Sequence, residues 1–139
     1  MHPSYAVVLL GSLASIGATA APQTSKRESI TAFQGVSIQN TAYVAPENVT
    51  KYLEAAKWLF DQVIAEPDIV FFEVYQSPED PGRISWIEDW LQPVEWLVKN
   101  QMSKPYYNES AATTGPMLIK PTEFSVVNRI GPEFLYIKT

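Results

Sequence analysis

The sequence predicts an α+β domain with element order βαββαβ and a four-stranded antiparallel sheet. Three observations carry that prediction. An unbroken helical period runs from Val49 to Val63. Pro67 closes it immediately before a nearly continuous apolar run over residues 69–76. A turn-forming stretch over residues 77–82 then returns the chain into an aromatic strand bearing Trp86 and Trp90.

A first strand is expected over residues 33–44, where Val36, Ile38 and Tyr43 stand among polar residues. Pro46 suits the first position of a helix, and Glu47 suits its positive end. Val49, Tyr52, Leu53, Ala56, Leu59, Phe60 and Val63 follow the i, i+3, i+4, i+7 rule, which predicts an amphipathic helix over about 46–65. Pro67 disfavours helical geometry at Glu66 and ends it. The 69–76 run, with Glu73 its only internal charge, has the character of a strand covered on both faces. Residues 77–82 (Ser-Pro-Glu-Asp-Pro-Gly) are turn chemistry throughout, so residues 83–89 return as the partner of a hairpin. Pro93 opens a shorter helix with Val94, Leu97, Val98 and Gln101 inward. Residues 104–107 leave that helix, residues 108–115 read as a small polar loop, and Pro121 precedes a last strand over 122–130. An apolar tail over 134–137 follows. The order is that of ferredoxin-like domains. Helices cover one face of such a sheet, and a chain this small cannot cover the other alone, so a sheet-to-sheet homodimer is expected.

Length and composition bound the function. With 139 residues the chain has room for one domain, and 46% hydrophobic content suffices for a packed core. Net charge is −5 with no basic cluster, which disfavours nucleic acid and anionic membranes as partners. The absence of cysteine excludes disulfides, thiolate nucleophiles and thiolate metal sites. Residues 6–20 are small and apolar and end in a small-x-small site (Ala18, Thr19, Ala20). Lys26 and Arg27 add a dibasic pair. Residues 1–27 are therefore expected to be a signal peptide with a short pro-segment, leaving 28–139 as the domain. The two sequons at Asn48 and Asn108 fit a secreted glycoprotein. A cytoplasmic chain that keeps its apolar extension is the alternative, since the first five residues contain no Lys or Arg. Because the only histidine is His2, the mature chain would lack both histidine and cysteine. Ser-His-Asp and Cys-His catalysis are thereby removed, and zinc or histidine-ligated haem becomes hard to accommodate.

Several pieces, in order and spacing, resemble one family. They are Glu66-Pro67 before a strand, Glu88-x-Trp90 closing the third strand, and Lys104-Pro105-Tyr106-Tyr107. Ile119-Lys120-Pro121-x-Glu123-Phe124 then leads to Arg129-Ile130-Gly131-Pro132. Over roughly residues 34–133 the chain resembles the antibiotic biosynthesis monooxygenase domain of the dimeric α/β-barrel superfamily, particularly its fungal members. The resemblance implies a homodimer with one cleft per subunit, between helices and sheet. It also implies oxidation of polycyclic phenols to quinones by O2, with neither metal nor flavin. Where many family members carry a histidine on the second helix, this chain reads Lys99-Asn100-Gln101-Met102-Ser103, which argues against haem degradation. Phenol oxidation without a cofactor survives that change, because the substrate phenolate itself donates electrons to O2.

The candidate site residues each have two readings. Gln101, on an apolar stripe, either hydrogen-bonds in the cleft or bonds to backbone; Asn100 lies off that stripe. Trp86, Glu88 and Trp90 share one face of their strand and line either the cleft or the dimer core. Between two tryptophans, a buried Glu88 would have a raised pKa and could act as a base, or it could pair with Arg83 or Arg129. Glu73 raises the same question on the preceding strand. Tyr106 and Tyr107 either position a phenolic substrate or pack the helix end. Asn40 could point into the cleft, and Trp58 is expected at an interface or as surface cover. Glu88 and Gln101 are thus the candidate catalytic residues, with Asn40, Glu73, Trp86, Trp90, Tyr106 and Tyr107 as substrate-binding candidates. The leading reading is a cofactor-independent monooxygenase-like protein acting on a phenolic, polyketide-type ligand, with O2 as co-substrate and no metal. The alternatives are a non-catalytic dimeric binding protein on the same fold, and a non-oxidative cleft enzyme such as an isomerase or cyclase.

Overall fold

The computed structural model of the protein describes residues 35–139, so the expected leader at 1–27 and the start of the first strand lie outside the described residues. Residues Gly35–Asn128 form one compact unit, and Arg129–Thr139 belong to a second. In the second, the 3-10 turn Pro132–Phe134 follows Gly131, whose φ of 154° is a backbone state that side chains other than glycine rarely adopt.

The four-stranded sheet of the first unit has the order β2-β3-β1-β4, with every pairing antiparallel. Strand β1 (Val36–Val44) lies beside β3 (Arg83–Trp90), with Val36 opposite Trp90 and Asn40 opposite Trp86. That register aligns the even-numbered residues of both strands on one face. Val36, Ala42, Val44, Ile84, Trp86 and Trp90 are all buried there. Helix α1 (Val49–Ile64), entered through a 3-10 turn at Pro46–Asn48, lies over this face and buries Tyr52, Ala56, Phe60 and Val63. Phe60 packs between Phe72 and Trp86, with ring centroids 5.0 and 5.2 Å away and tilted geometry at both contacts. Such pairs contribute about 0.5–1.5 kcal/mol each beyond area burial.

The segment after β3 differs from expectation in two ways. Helix α2 (Val94–Trp96) opens after Pro93 as expected, but continues as a π-turn over Leu97–Gln101, with the Met102 N–H donating to the Leu97 carbonyl at 2.8 Å. Residues 108–115, expected as a polar loop, instead belong largely to helix α3 (Pro105–Thr114). Pro105 supplies a pre-set first helical position, Ser110 is buried, and the Thr114 hydroxyl donates to the Ser110 carbonyl at 3.0 Å. Apolar periodicity is nearly absent from α3, so packing rather than pattern holds it helical.

The two edge strands are β4, whose start is corrected, and β2. Strand β4 is Leu118–Asn128, beginning before Pro121 rather than after it. The pairing with β1 shifts register between Thr41 and Tyr43 and again before Val44, so Pro121 sits in an irregular stretch of an edge strand, where a missing N–H costs least. Strand β2 (Ile69–Gln76) is expected to be covered by the chain's own helices on one face and by a partner's sheet on the other. It is the opposite edge, with Phe72 and Val74 packed against the core while Phe71 and Tyr75 stand exposed on the other face. Its apolar run therefore describes one covered face and one open face within a single chain.

Gly82 closes the hairpin against β1, its carbonyl accepting the Val44 N–H at 2.8 Å. A Cβ on Gly82 would stand 1.9 Å from the Val44 carbonyl oxygen, a backbone atom that cannot step aside. Gly82→Ala is expected to lower unfolding free energy by roughly 1–3 kcal/mol, the cost of overpacking a close contact. Urea titration of the variant against the parent chain measures it.

Candidate active site

A cavity of about 250 Å³ lies between the even face of the sheet and the helices. Its wall is almost wholly apolar, drawn from Ile38 and Trp86 on the sheet, Leu59, Phe60 and Val63 on α1, and Leu97 at the π-turn. Val98, Met102 and Phe124 also line it and are themselves exposed, which places the mouth on their side. Three polar side chains reach the lining: Asn40, Glu88 and Tyr107.

Glu88 occupies the middle of the helix-covered face of β3, 8% exposed. One carboxylate oxygen accepts the Trp86 indole N–H at 2.9 Å and the Asn40 amide N–H at 3.3 Å; the other accepts the Trp90 indole N–H at 3.1 Å. All three donors are neutral. The expected alternative of an ion pair with Arg83 does not arise, because Arg83 lies on the opposite face of the strand by the period of two. Burial raises the Glu88 pKa above the ordinary carboxylate value, and the bonds from Trp86, Trp90 and Asn40 draw it partly back. Since the folded-state pKa is raised, the stability that Glu88 contributes is present at low pH and is lost as pH rises through that value.

Gln101 is 1% exposed, and its amide nitrogen donates to the hydroxyls of Tyr106 at 2.6 Å and Tyr107 at 2.8 Å. Of its two expected roles, the bond is therefore to side chains at the edge of the cavity rather than to backbone. The Tyr106 hydroxyl donates to Glu66, which also receives both a hydrogen bond and a salt bridge from Lys104 at 2.7 Å. Desolvation pushes the Glu66 pKa up, but the contacts with Lys104, Tyr106 and Gln101 outweigh it and hold the carboxyl below its usual value. Burial pushes both tyrosine phenols up, and the nearby carboxylates add to it, so both stay protonated at neutral pH.

The face of Trp86, Glu88 and Trp90, open from sequence, is the helix-covered one. Trp86, Glu88, Asn40 and Tyr107 line the cavity; Trp90, fully buried, supports Glu88 from behind, and Tyr106 stands behind Gln101. Glu73 does not join them. It pairs with Ile87 on the other face of the sheet and accepts a hydrogen bond from Tyr75, because an odd position on β2 points away from the helices. Trp58 is partly exposed on α1, and Asn100 bonds to the Trp96 carbonyl. The sequon residue Asn108 is exposed on α3, whereas Asn48 is half-buried where α1 begins. The residues sequence reasoning missed are Glu66 and Lys104. Both stood in the quoted motifs, but nothing in the linear pattern brings positions 38 apart onto one hydrogen-bond chain. Among the described residues no group of three or more His, Cys, Asp or Glu side chains converges as a metal site. No helix among them is long and apolar enough to cross a membrane.

Comparison with known proteins places the chain in a family. No protein-family profile matches the chain. A provisionally named monooxygenase of Pestalotiopsis microspora is 30% identical over 95 residues, covering 68% of this chain and 79% of that protein. Among solved structures, a provisionally named antibiotic biosynthesis monooxygenase from Nitrosomonas europaea superposes with a TM-score of 0.62 at 19% identity, covering 72% of this chain and 94% of that one. A second so named, from Caulobacter crescentus CB15, gives a TM-score of 0.63 at 15% identity, with 76% and 98% covered. With its ferredoxin-like sheet and that sequence kinship, the chain belongs to the antibiotic biosynthesis monooxygenase family and is a monooxygenase-like protein.

Proposed function

We propose that the chain is a cofactor-independent monooxygenase that oxidises a phenolic, polyketide-type aromatic in the cavity over Glu88. The observation that supports it is a buried carboxylate with a raised pKa on the floor of an apolar pocket, held by neutral donors alone. A raised pKa makes such a carboxylate a stronger base toward a bound phenol or an acidic ring carbon. The cavity, at about 250 Å³, is slightly smaller than most ligand sites and suits a compact flat ring system entered past Phe124. Proton removal leaves an electron-rich carbanion or phenolate, and the apolar wall withholds water from it. An aryl methylene plus O2 then gives an aryl ketone plus water. Two C–H bonds break, one oxygen atom stays on carbon, and the other leaves with both hydrogens.

The same reading includes secretion, with removal of the leader, and a homodimer formed through the open face of the sheet. Phe71 and Tyr75 on β2 and Val127 on β4 stand exposed there, flanking the polar residues Gln39, Thr41 and Ser125. Light scattering is expected to give twice the monomer mass at micromolar concentration, with Phe71→Asp shifting it to monomer. A stable parental monomer removes the dimer.

Purified protein incubated with anthrones and hydroquinones under air is expected to take up O2 above the uncatalysed rate. Tight binding with no uptake would leave the non-catalytic binding protein instead. Glu88→Gln is expected to bind the same anthrone while losing about a hundredfold or more of the rate. The acid limb of the rate–pH profile tests the assignment independently. The carboxylate is active when ionised, so the rate rises with pH through the Glu88 pKa. Trp90→Phe deletes an indole N–H that lowers this value, and the rise is expected to move to higher pH; an unmoved limb assigns the base to another group.

A further inference from the structure

Gln101 is the most deeply buried amide at the site, and its two ends are treated unequally. The nitrogen makes two hydrogen bonds, whereas the Oε1 atom is buried with no partner. An unpaired buried acceptor is destabilising, so something has to hold the amide in this orientation. The holding chain starts at the surface. The Lys104 ammonium keeps Glu66 ionised, and an ionised carboxylate only accepts. The Tyr106 hydroxyl therefore gives its single proton to Glu66, leaving its oxygen free only to accept. The group facing that oxygen has to be the N–H end of Gln101. Its second N–H then meets the Tyr107 oxygen, so the Tyr107 proton turns away from Gln101. Its hydroxyl neighbour Tyr106 already accepts from the Gln101 N–H, which leaves the cavity side open to the Tyr107 proton, and Tyr107 lines the cavity.

We propose that Lys104, Glu66, Tyr106 and Gln101 form a one-way hydrogen-bond chain whose output is a Tyr107 O–H aimed at the ligand, and that the site therefore selects aromatics carrying a carbonyl or other acceptor oxygen at that end. Gln101, Tyr106 and Glu66 are positioning residues, and Tyr107 alone touches the ligand. This rests on the cavity being the ligand site, and it adds a second contact to Glu88. The ligand offers a proton to the carboxylate on the sheet and an acceptor oxygen to the phenol on α3. Reversing the amide reverses the output. With Gln101 turned over, Oε1 accepts the Tyr107 proton and the cavity loses its donor.

The test compares two ligands that differ at the acceptor, anthrone and 9,10-dihydroanthracene, titrated under argon so that no turnover occurs. The parent chain is expected to hold anthrone roughly fivefold or more tighter, the worth of one neutral hydrogen bond. Tyr107→Phe brings the ratio to one. Tyr106→Phe, which leaves Tyr107 in place, also brings it toward one, because Gln101 is then free to turn and satisfy Oε1. An unchanged affinity for dihydroanthracene in both variants shows that the cavity has kept its shape. A parental ratio in Tyr106→Phe, or equal weakening of both ligands, means that Tyr106 only packs and overturns the proposal. Failure of the parent chain to bind either ligand, or to prefer anthrone, overturns it as well. O2 uptake is measured separately. A chain that keeps the ratio but consumes no O2 retains the directed donor and loses the monooxygenase reading.

Discussion

Taking a carboxylate out of water costs several kcal/mol unless hydrogen bonds replace the lost hydration, and strand β3 meets that demand largely with its own neighbours. Trp86 and Trp90 stand two residues to either side of Glu88, and the pleat points all three the same way. Their indole rings fill the core beneath α1 while their N–H groups turn inward to the carboxylate. Indole suits both tasks because it is mostly apolar surface with a single donor and no acceptor. The same two side chains thus pack the sheet against the helix and hold the charged group at the cavity floor, so neither packing nor site can change without the other.

The cavity follows from what the helices do above that strand. Phe60 covers Trp86, and Leu97 and Val63 cover Trp90. Over Glu88 itself the covering side chains draw apart, and the space is closed only by Tyr107 and the apolar rim. The polar groups divide into a sheet-borne set centred on an acceptor and a helix-borne set ending in a donor. An apolar pocket with one of each binds a flat ligand in one orientation rather than several.

Much of this was legible in the sequence because the signals were local. The period of α1, Pro67 as a stop and the 77–82 turn gave the element order, and the spacing of Trp86, Glu88 and Trp90 placed them on a common face. Which face it was depended on α1 lying over the even side of the sheet, where Asn40 on β1 reaches Glu88 on β3 by a side-chain hydrogen bond across 48 positions. Helix α3 escaped notice because its inward positions, Tyr107 and Ser110 among them, are not an apolar stripe. For β2 the pattern says less about where the cover comes from. An apolar run reports that a surface seeks cover, not whether the same chain supplies it. Glu73 and Glu88 are both carboxylates set in apolar strands, and strand parity puts them on opposite faces of the sheet.

The π-turn at Leu97–Gln101 has a consequence for how such a site arises and is lost. A π-turn is one residue wider than the helical turn it interrupts, and such turns concentrate at functional sites. Here the wide turn ends on Gln101, and Met102 bonds five residues back to Leu97. Removing any one residue between them would let the segment close as ordinary α-helix. That would rotate everything after it relative to the sheet and swing the amide out of reach of both tyrosine hydroxyls. Point substitutions at the rim alter the fit of a ligand gradually. A single-residue change in chain length at this turn acts instead as a discrete step, which takes Gln101 away from both tyrosines at once.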